Sequence, residues 1–108
     1  MKHFVLDVTS DLFNNIVLKS SIPVIVDFWA EWCPPCQILD ILFKEISVEY
    51  HKKIKFCKVN IQYQEIIAKK YDIKSVPTLI FFKNFKKKAI HLGNIDRIHL
   101  KKFIDDNI

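Results

Sequence analysis

At 108 residues, half of them hydrophobic, the chain has room for one domain with a real core and no need of disulfide staples. Three cysteines, an odd number, argue against a secreted disulfide scaffold, and no apolar run approaches the length of a membrane span. The net charge of +5 comes from lysine, with Arg97 the only arginine. It reads as ordinary solvated faces, because the base-reading arginines and interleaved aromatics of a nucleic-acid surface are missing.

Met1-Lys2-His3-Phe4 leads straight into an apolar segment with no signal-like h-region, so a cytoplasmic protein is expected. Phe4 to Val8 reads as an edge strand. Thr9 or Ser10 can cap a helix whose buried face is Leu12, Phe13, Ile16 and Val17. Ser20-Ser21 turns the chain into Val24 to Trp29, a β-branched and aromatic run that reads as a strand buried on both faces. That strand breaks at Ala30-Glu31 and reaches Cys33-Pro34-Pro35-Cys36. Ile38, Leu39, Ile41, Leu42 and Ile46 then recur at helical spacing, giving a helix to about Tyr50 with Asp40 near its solvent side.

A dithiol therefore sits where a buried strand hands over to a helix. The first helical turn has unpaired N–H groups and a dipole that favours negative charge, which stabilises a thiolate at Cys33. Pro35 suits a helix start, where its missing N–H is not needed. Cys36 lies one turn further in, more buried, placed to attack a mixed disulfide formed at Cys33. Half of a zinc site and two inert thiols are the blander readings.

Ile54 to Asn60 reads as a third strand and Gln64 to Tyr71 as a short helix, so the first half is β-α-β-α-β-α with parallel strands. Thr78 to Lys83 and Lys87 to Leu92 are two more strands. The short link Asn84-Phe85-Lys86 demands an antiparallel hairpin. Ile95, Ile98, Leu100, Phe103 and Ile104 mark a closing amphipathic helix. Gly93 is the only glycine, so positive φ elsewhere must fall to Asn or Asp, with Asn84 first in line.

Trp29-Ala30-Glu31-Trp32-Cys33-Pro34-Pro35-Cys36 resembles the active-site motif of the thioredoxin family, with Pro34 where that family usually has glycine. The resemblance extends to Asp27, Lys58, Val76-Pro77-Thr78 and Gly93 and covers nearly the whole chain in order. It implies an α/β thioredoxin fold, a central mixed five-stranded sheet flanked by four helices, formed by residues 1–108 as a single domain. It implies a protein-disulfide reductase working through a reversible Cys33–Cys36 disulfide, with no metal or other cofactor, recharged by a flavin-dependent thioredoxin reductase. A monomer acting on protein disulfides, without nucleic acid or membrane, is expected. Two departures stand out: Ile41 replaces the family's kinking proline, so a straighter helix is expected, and Phe85 replaces a glycine in the hairpin turn.

Asp27 interrupts an apolar strand, where an ionised carboxylate is unfavourable without a partner. It reads as a proton acceptor for Cys36, or as a residue facing outward at an edge. Lys58 matches the position that partners this aspartate in the family, or is one more solvated lysine. Pro77 is either a strand boundary or the family's cis-proline facing the dithiol, with neighbouring backbone that pairs with an extended substrate. Trp32, Pro34, Ile61, Val76, Leu92 and Gly93 would complete an apolar docking rim. Cys57 reads as a small buried hydrophobe, and the four histidines show no metal-ligand spacing. Two other functions compete: a dedicated reductase like those of cytochrome c maturation, which usually carry an export signal and inserted structure, and a non-redox binding module.

Overall fold

The computed structural model describes residues 2–108; Met1, read above as leading into the first strand, lies outside them. Five strands form one mixed sheet: β1 (Val5–Asp7), β2 (Val24–Trp29), β3 (Lys55–Asn60), β4 (Thr78–Lys83) and β5 (Lys86–Leu92), in spatial order β1-β3-β2-β4-β5. The first three run parallel, while β4 and β5 run antiparallel to their neighbours. Three α-helices, α1 (Pro34–Glu49), α2 (Glu65–Lys70) and α3 (Arg97–Asn107), and a π-helical turn (Asn14–Leu18) make four helical segments around the sheet. This is the five-stranded, four-helix architecture expected of the thioredoxin fold.

β2 is the central strand because its apolar residues can be covered on both sides, and five of its six residues are buried. Strand alternation divides the core. Val24, Val26 and Phe28 face one way and pack with Phe13, Val17, Cys57 and Ile67, under the π-helical turn and α2. Ile25 faces the other way and packs with Leu39, Phe43, Phe56, Leu79 and Leu100, under α1 and α3. Asp27 and Trp29 share the parity of Ile25, and Lys58 shares that of Phe56. Asp27 is register partner to Lys58 on β3 and to Leu79 on β4. The only acid in β2 therefore lies on the side covered by α1, beside a lysine.

Three local expectations are corrected. The segment after β1 does not form a helix capped by Thr9 or Ser10. Thr9 to Leu12 is a turn, and Leu12 is exposed. The π-helical turn follows, with an i to i+5 bond from the Lys19 N–H to the Asn14 carbonyl at 3.0 Å. Phe13 and Val17 supply the packing. In α1 the buried stripe is Cys36, Leu39, Phe43 and Ile46, and Ile38 and Ile41 lie off it, 72% and 63% exposed. The β4–β5 link is two residues long, since Lys86 already pairs with Lys83. Asn84 and Phe85 take φ of 55° and 69° there, the left-handed backbone region whose turn matches the right-handed twist of the flanking strands. Positive φ at Asn84 matches expectation, and Asp72 at 54° is of the expected type, but Phe85 and Lys52 at 73° adopt it too, so positive φ is not confined to Asn and Asp.

Candidate active site

Cys33 is the N-cap of α1, extended at φ −107° and ψ 102°, with Pro34 and Pro35 opening the helix. Prolines there sacrifice no hydrogen bond, and they leave Cys36 as the first residue of the turn with an N–H to give. That N–H donates to Cys33 Sγ at 3.2 Å, so a backbone donor and the positive end of the helix dipole converge on one sulfur. Cys33 and Cys36 form a disulfide, their Cα atoms 5.2 Å apart and both sulfurs nearly out of solvent. Ala30, Trp29, Ile61 and Val76 pack around the pair.

The loop before the helix is held from outside. Gln62 Oε1 accepts from the Glu31 N–H at 2.6 Å, and Gln37 Nε2 donates to the Glu31 carbonyl at 3.2 Å. Gln62 escaped the sequence reading, because a polar loop residue carries no signal of its own.

The Val76–Pro77 peptide is cis, and the Val76 carbonyl oxygen stands 3.7 Å from Cys33 Sγ. Gly93, at φ +85°, donates its N–H to the Pro77 carbonyl at 2.9 Å, and Leu92 pairs with Thr78. Ile61 and Val76 thus pack against the disulfide, and the backbone of Gly93 is tied to Pro77, the residue after Val76. Trp32, 68% exposed, and Pro34 are solvent-facing beside the cysteines, and Leu92 is exposed on β5.

Asp27 is wholly buried and neither carboxyl oxygen has a hydrogen-bond partner in the protein. Burial pushes its pKa up to about 7; the Lys58 charge opposes that rise and the Asp40 charge adds to it. The reading of Asp27 as an outward edge residue is therefore excluded.

Of two expectations about its neighbours, one holds in part and one is overturned. Lys58 acts on Asp27 through its charge but does not bond to it: its ammonium bonds to Asp40 Oδ1 and lies 4.3 Å from the centre of the Trp29 ring. Asp40 is not near the solvent side of α1. Its side chain is 24% exposed, and Oδ2 takes Lys44 at 2.9 Å. The helix is rotated so that Cys36 and Leu39 face the sheet, and this brings Asp40 to Lys58 on β3. Burial alone would raise the Asp40 pKa, but the two ammonium groups outweigh it and hold the carboxyl below the usual range.

Cys57 lies on the opposite side of the sheet. Burial pushes its pKa up to about 12 against the opposing charge of Lys55, so it carries no thiolate near neutral pH. Among the described residues, no group of three His, Cys, Asp or Glu could hold a metal ion, and no helix is long and apolar enough to cross a membrane.

The thioredoxin family model matches residues 4–106. A thioredoxin of Rickettsia bellii is 43% identical over 102 residues, 94% of this chain and 97% of its own length. A Pseudomonas aeruginosa thioredoxin is 37% identical over the full length of both chains. A thioredoxin of Buchnera aphidicola from Acyrthosiphon pisum is 40% identical over 104 residues, 96% of each chain. The family acts on protein disulfides together with a thioredoxin reductase and generally needs no cofactor. Because the likeness runs through the whole fold and not the cysteine motif alone, the chain belongs to the thioredoxin family and is a thiol–disulfide oxidoreductase.

Proposed function

We propose that this protein is a single-domain, monomeric, cytoplasmic disulfide reductase with Cys33 as nucleophile and Cys36 as resolving thiol. The observation that carries the reading is the Cys36 N–H aimed at Cys33 Sγ at the start of α1, which favours the thiolate at Cys33 over any other sulfur of the chain. In the reduced protein the Cys33 thiolate attacks one sulfur of a substrate disulfide. The substrate S–S bond breaks, and the released thiolate takes a proton from solvent. Asp27 then accepts the Cys36 proton, directly or through water. The Cys36 thiolate attacks Cys33 Sγ as the bond from Cys33 to substrate breaks, and the second substrate sulfur leaves as a thiolate that takes up a proton, leaving the Cys33–Cys36 disulfide.

Two electrons have passed to the substrate, and a flavin-dependent thioredoxin reductase returns two to the protein. No cofactor beyond the reversible disulfide, and no metal, takes part. Trp32, Pro34, Ile61, Val76, Pro77, Leu92 and Gly93 form the rim on which an extended substrate segment docks, pairing with backbone beside Val76 by strand addition. Lys58 acts on the site through its charge rather than by direct bonding to Asp27.

Insulin reduction coupled to dithiothreitol tests the reading. Turnover is expected to vanish in Cys33→Ser and Cys36→Ser and to persist in Cys57→Ser. Full activity in Cys33→Ser sinks the reductase mechanism. Unchanged cellular function with both Cys33 and Cys36 replaced would make the chain a non-redox module.

A further inference from the structure

Lys58 and Asp27 face each other across neighbouring strands on the side covered by α1, where an ammonium and a carboxylate are expected to pair. They do not. The Lys58 ammonium goes to Asp40, one turn beyond Cys36 on α1, and both Asp27 oxygens are left without a partner. The Asp40 carboxylate is bridged, with Lys58 on Oδ1 and Lys44 on Oδ2. We propose that Asp40 is a positioning residue for the resolving step: it holds the Lys58 ammonium against α1, keeps that cation from closing on Asp27, and so sets how readily Asp27 trades a proton with Cys36. The proposal rests on the reading of Asp27 as proton acceptor given above.

Two carboxylates compete here for one largely buried ammonium. Asp40 is the better host because it keeps some contact with solvent and has a second cation in Lys44. Ionising Asp27 leaves a charge in a dry site. The charged groups facing Asp27 are Lys58 from β3 and Asp40 from α1, with Lys44 behind Asp40. When the disulfide is open, the Cys36 thiol joins them from α1, while β4 presents Leu79. Asp27 therefore meets an ion pair whose two fields oppose each other, and burial is left to govern its protonation. As a carboxylate, Asp27 takes the Cys36 proton. The thiolate then forms the bond to Cys33 as the bond from Cys33 to substrate breaks, and the substrate thiolate leaves. With Lys58 bonded to it instead, Asp27 would be a weaker base.

The test is a carboxyl-carbon NMR titration of Asp27 in the oxidised protein, which needs no turnover. Asp40→Asn is expected to lower the Asp27 midpoint by about one to three pH units, the effect of an opposite charge within hydrogen-bonding reach. Asp40→Glu should restore most of the wild-type value. In a Lys58→Met background, Asp40→Asn should lose the greater part of its effect. An unchanged midpoint in Asp40→Asn overturns the proposal, and so does a full shift that persists without Lys58, since Asp40 would then act by its own charge. Single-turnover resolution of a Cys33 mixed disulfide, followed against pH, supplies the second readout. Its profile should move with the midpoint, and a profile that stays put contradicts the link to Cys36. Asp27→Asn then locates the fault: an unaltered profile in that variant means that Asp27 is not the proton acceptor, whereas an altered one means that Asp40 does not govern it.

Discussion

The two sides of the central sheet are built from the same strands and use burial for different ends. Beneath the π-helical turn and α2, the layer of Val24, Val26, Phe28, Cys57 and Ile80 holds no fully buried charge, and the half-buried Lys55 at its margin donates to the Ile16 carbonyl at 2.9 Å. Beneath α1, the equivalent layer contains Asp27 and Lys58 among Ile25, Phe56 and Leu79. Cysteines follow the same division. Cys57 sits in the apolar layer, where burial makes ionisation unfavourable, whereas Cys33 sits at the positive end of a helix with a backbone N–H on its sulfur. Both thiol sites are closed to solvent, so exposure does not distinguish the proposed nucleophile; the dipoles around Cys33 do. A residue on the apolar side should therefore contribute stability alone, and one on the α1 side should exchange stability for rate.

Phe28→Ala is the strongest way to break that distinction. Phe28 is fully buried and meets the ring of Tyr71. Its truncation should cost about 3–5 kcal/mol in denaturant unfolding. The rate of disulfide reduction per folded molecule should stay at the wild-type level, and a parallel loss of rate would show that the apolar layer also serves the chemistry.

Asp27→Asn probes the other side and carries the opposite sign. The folded pKa of Asp27 lies near 7, raised above the unfolded value of 3.8, so the native state holds its proton longer than the unfolded chain does. The associated stability is complete below the unfolded pKa and is lost as pH rises through about 7. Asparagine removes this loss. The variant should match wild type below about pH 4 and gain steadily above it, reaching about 4 kcal/mol past pH 7, from about three pH units at about 1.4 kcal/mol each. Resolution of mixed disulfides should slow near neutral pH in the same variant. Denaturant midpoints from pH 4 to 9 decide the sign: a variant less stable at every pH would make Asp27 a structural residue.

The smallest effect belongs to Phe85, which lies on neither layer. Its exposed side chain sits at φ 69° in the hairpin turn, a conformation that L side chains resist. Phe85→Gly should raise stability by about 1 kcal/mol without altering activity, checked by unfolding midpoint and insulin reduction.

The legibility of these features in the sequence follows from how local their causes are. β2 and β4 are readable to the residue, because a short run dominated by apolar residues has only one use in a small α/β domain. The dithiol at a helix start was readable from Pro35 and the apolar spacing beyond it. Asp27 stood out as the lone acid in such a run. The partner of Lys58 was not readable, because it depends on the rotation of α1. Ile38 and Ile41 suggested a stripe that Cys36, Leu39, Phe43 and Ile46 in fact define, and the correct stripe turns Asp40 inward. The π-helical turn was hidden for a similar reason: its length is chosen by where Phe13 and Val17 must land, not by the propensities of Asn14 and Asn15.

The central claim is that reactivity belongs to the sulfur at the helix start and not to the sulfur in the apolar layer. Trapping with Cys36→Ser tests it most directly, since attack survives in that variant while resolution is lost. After incubation with disulfide-bearing protein substrates, mass spectrometry of the accumulated complexes should find the intermolecular bond at Cys33. Linkage at Cys57 would contradict the assignment of the nucleophile and the account of the two sides of the sheet together.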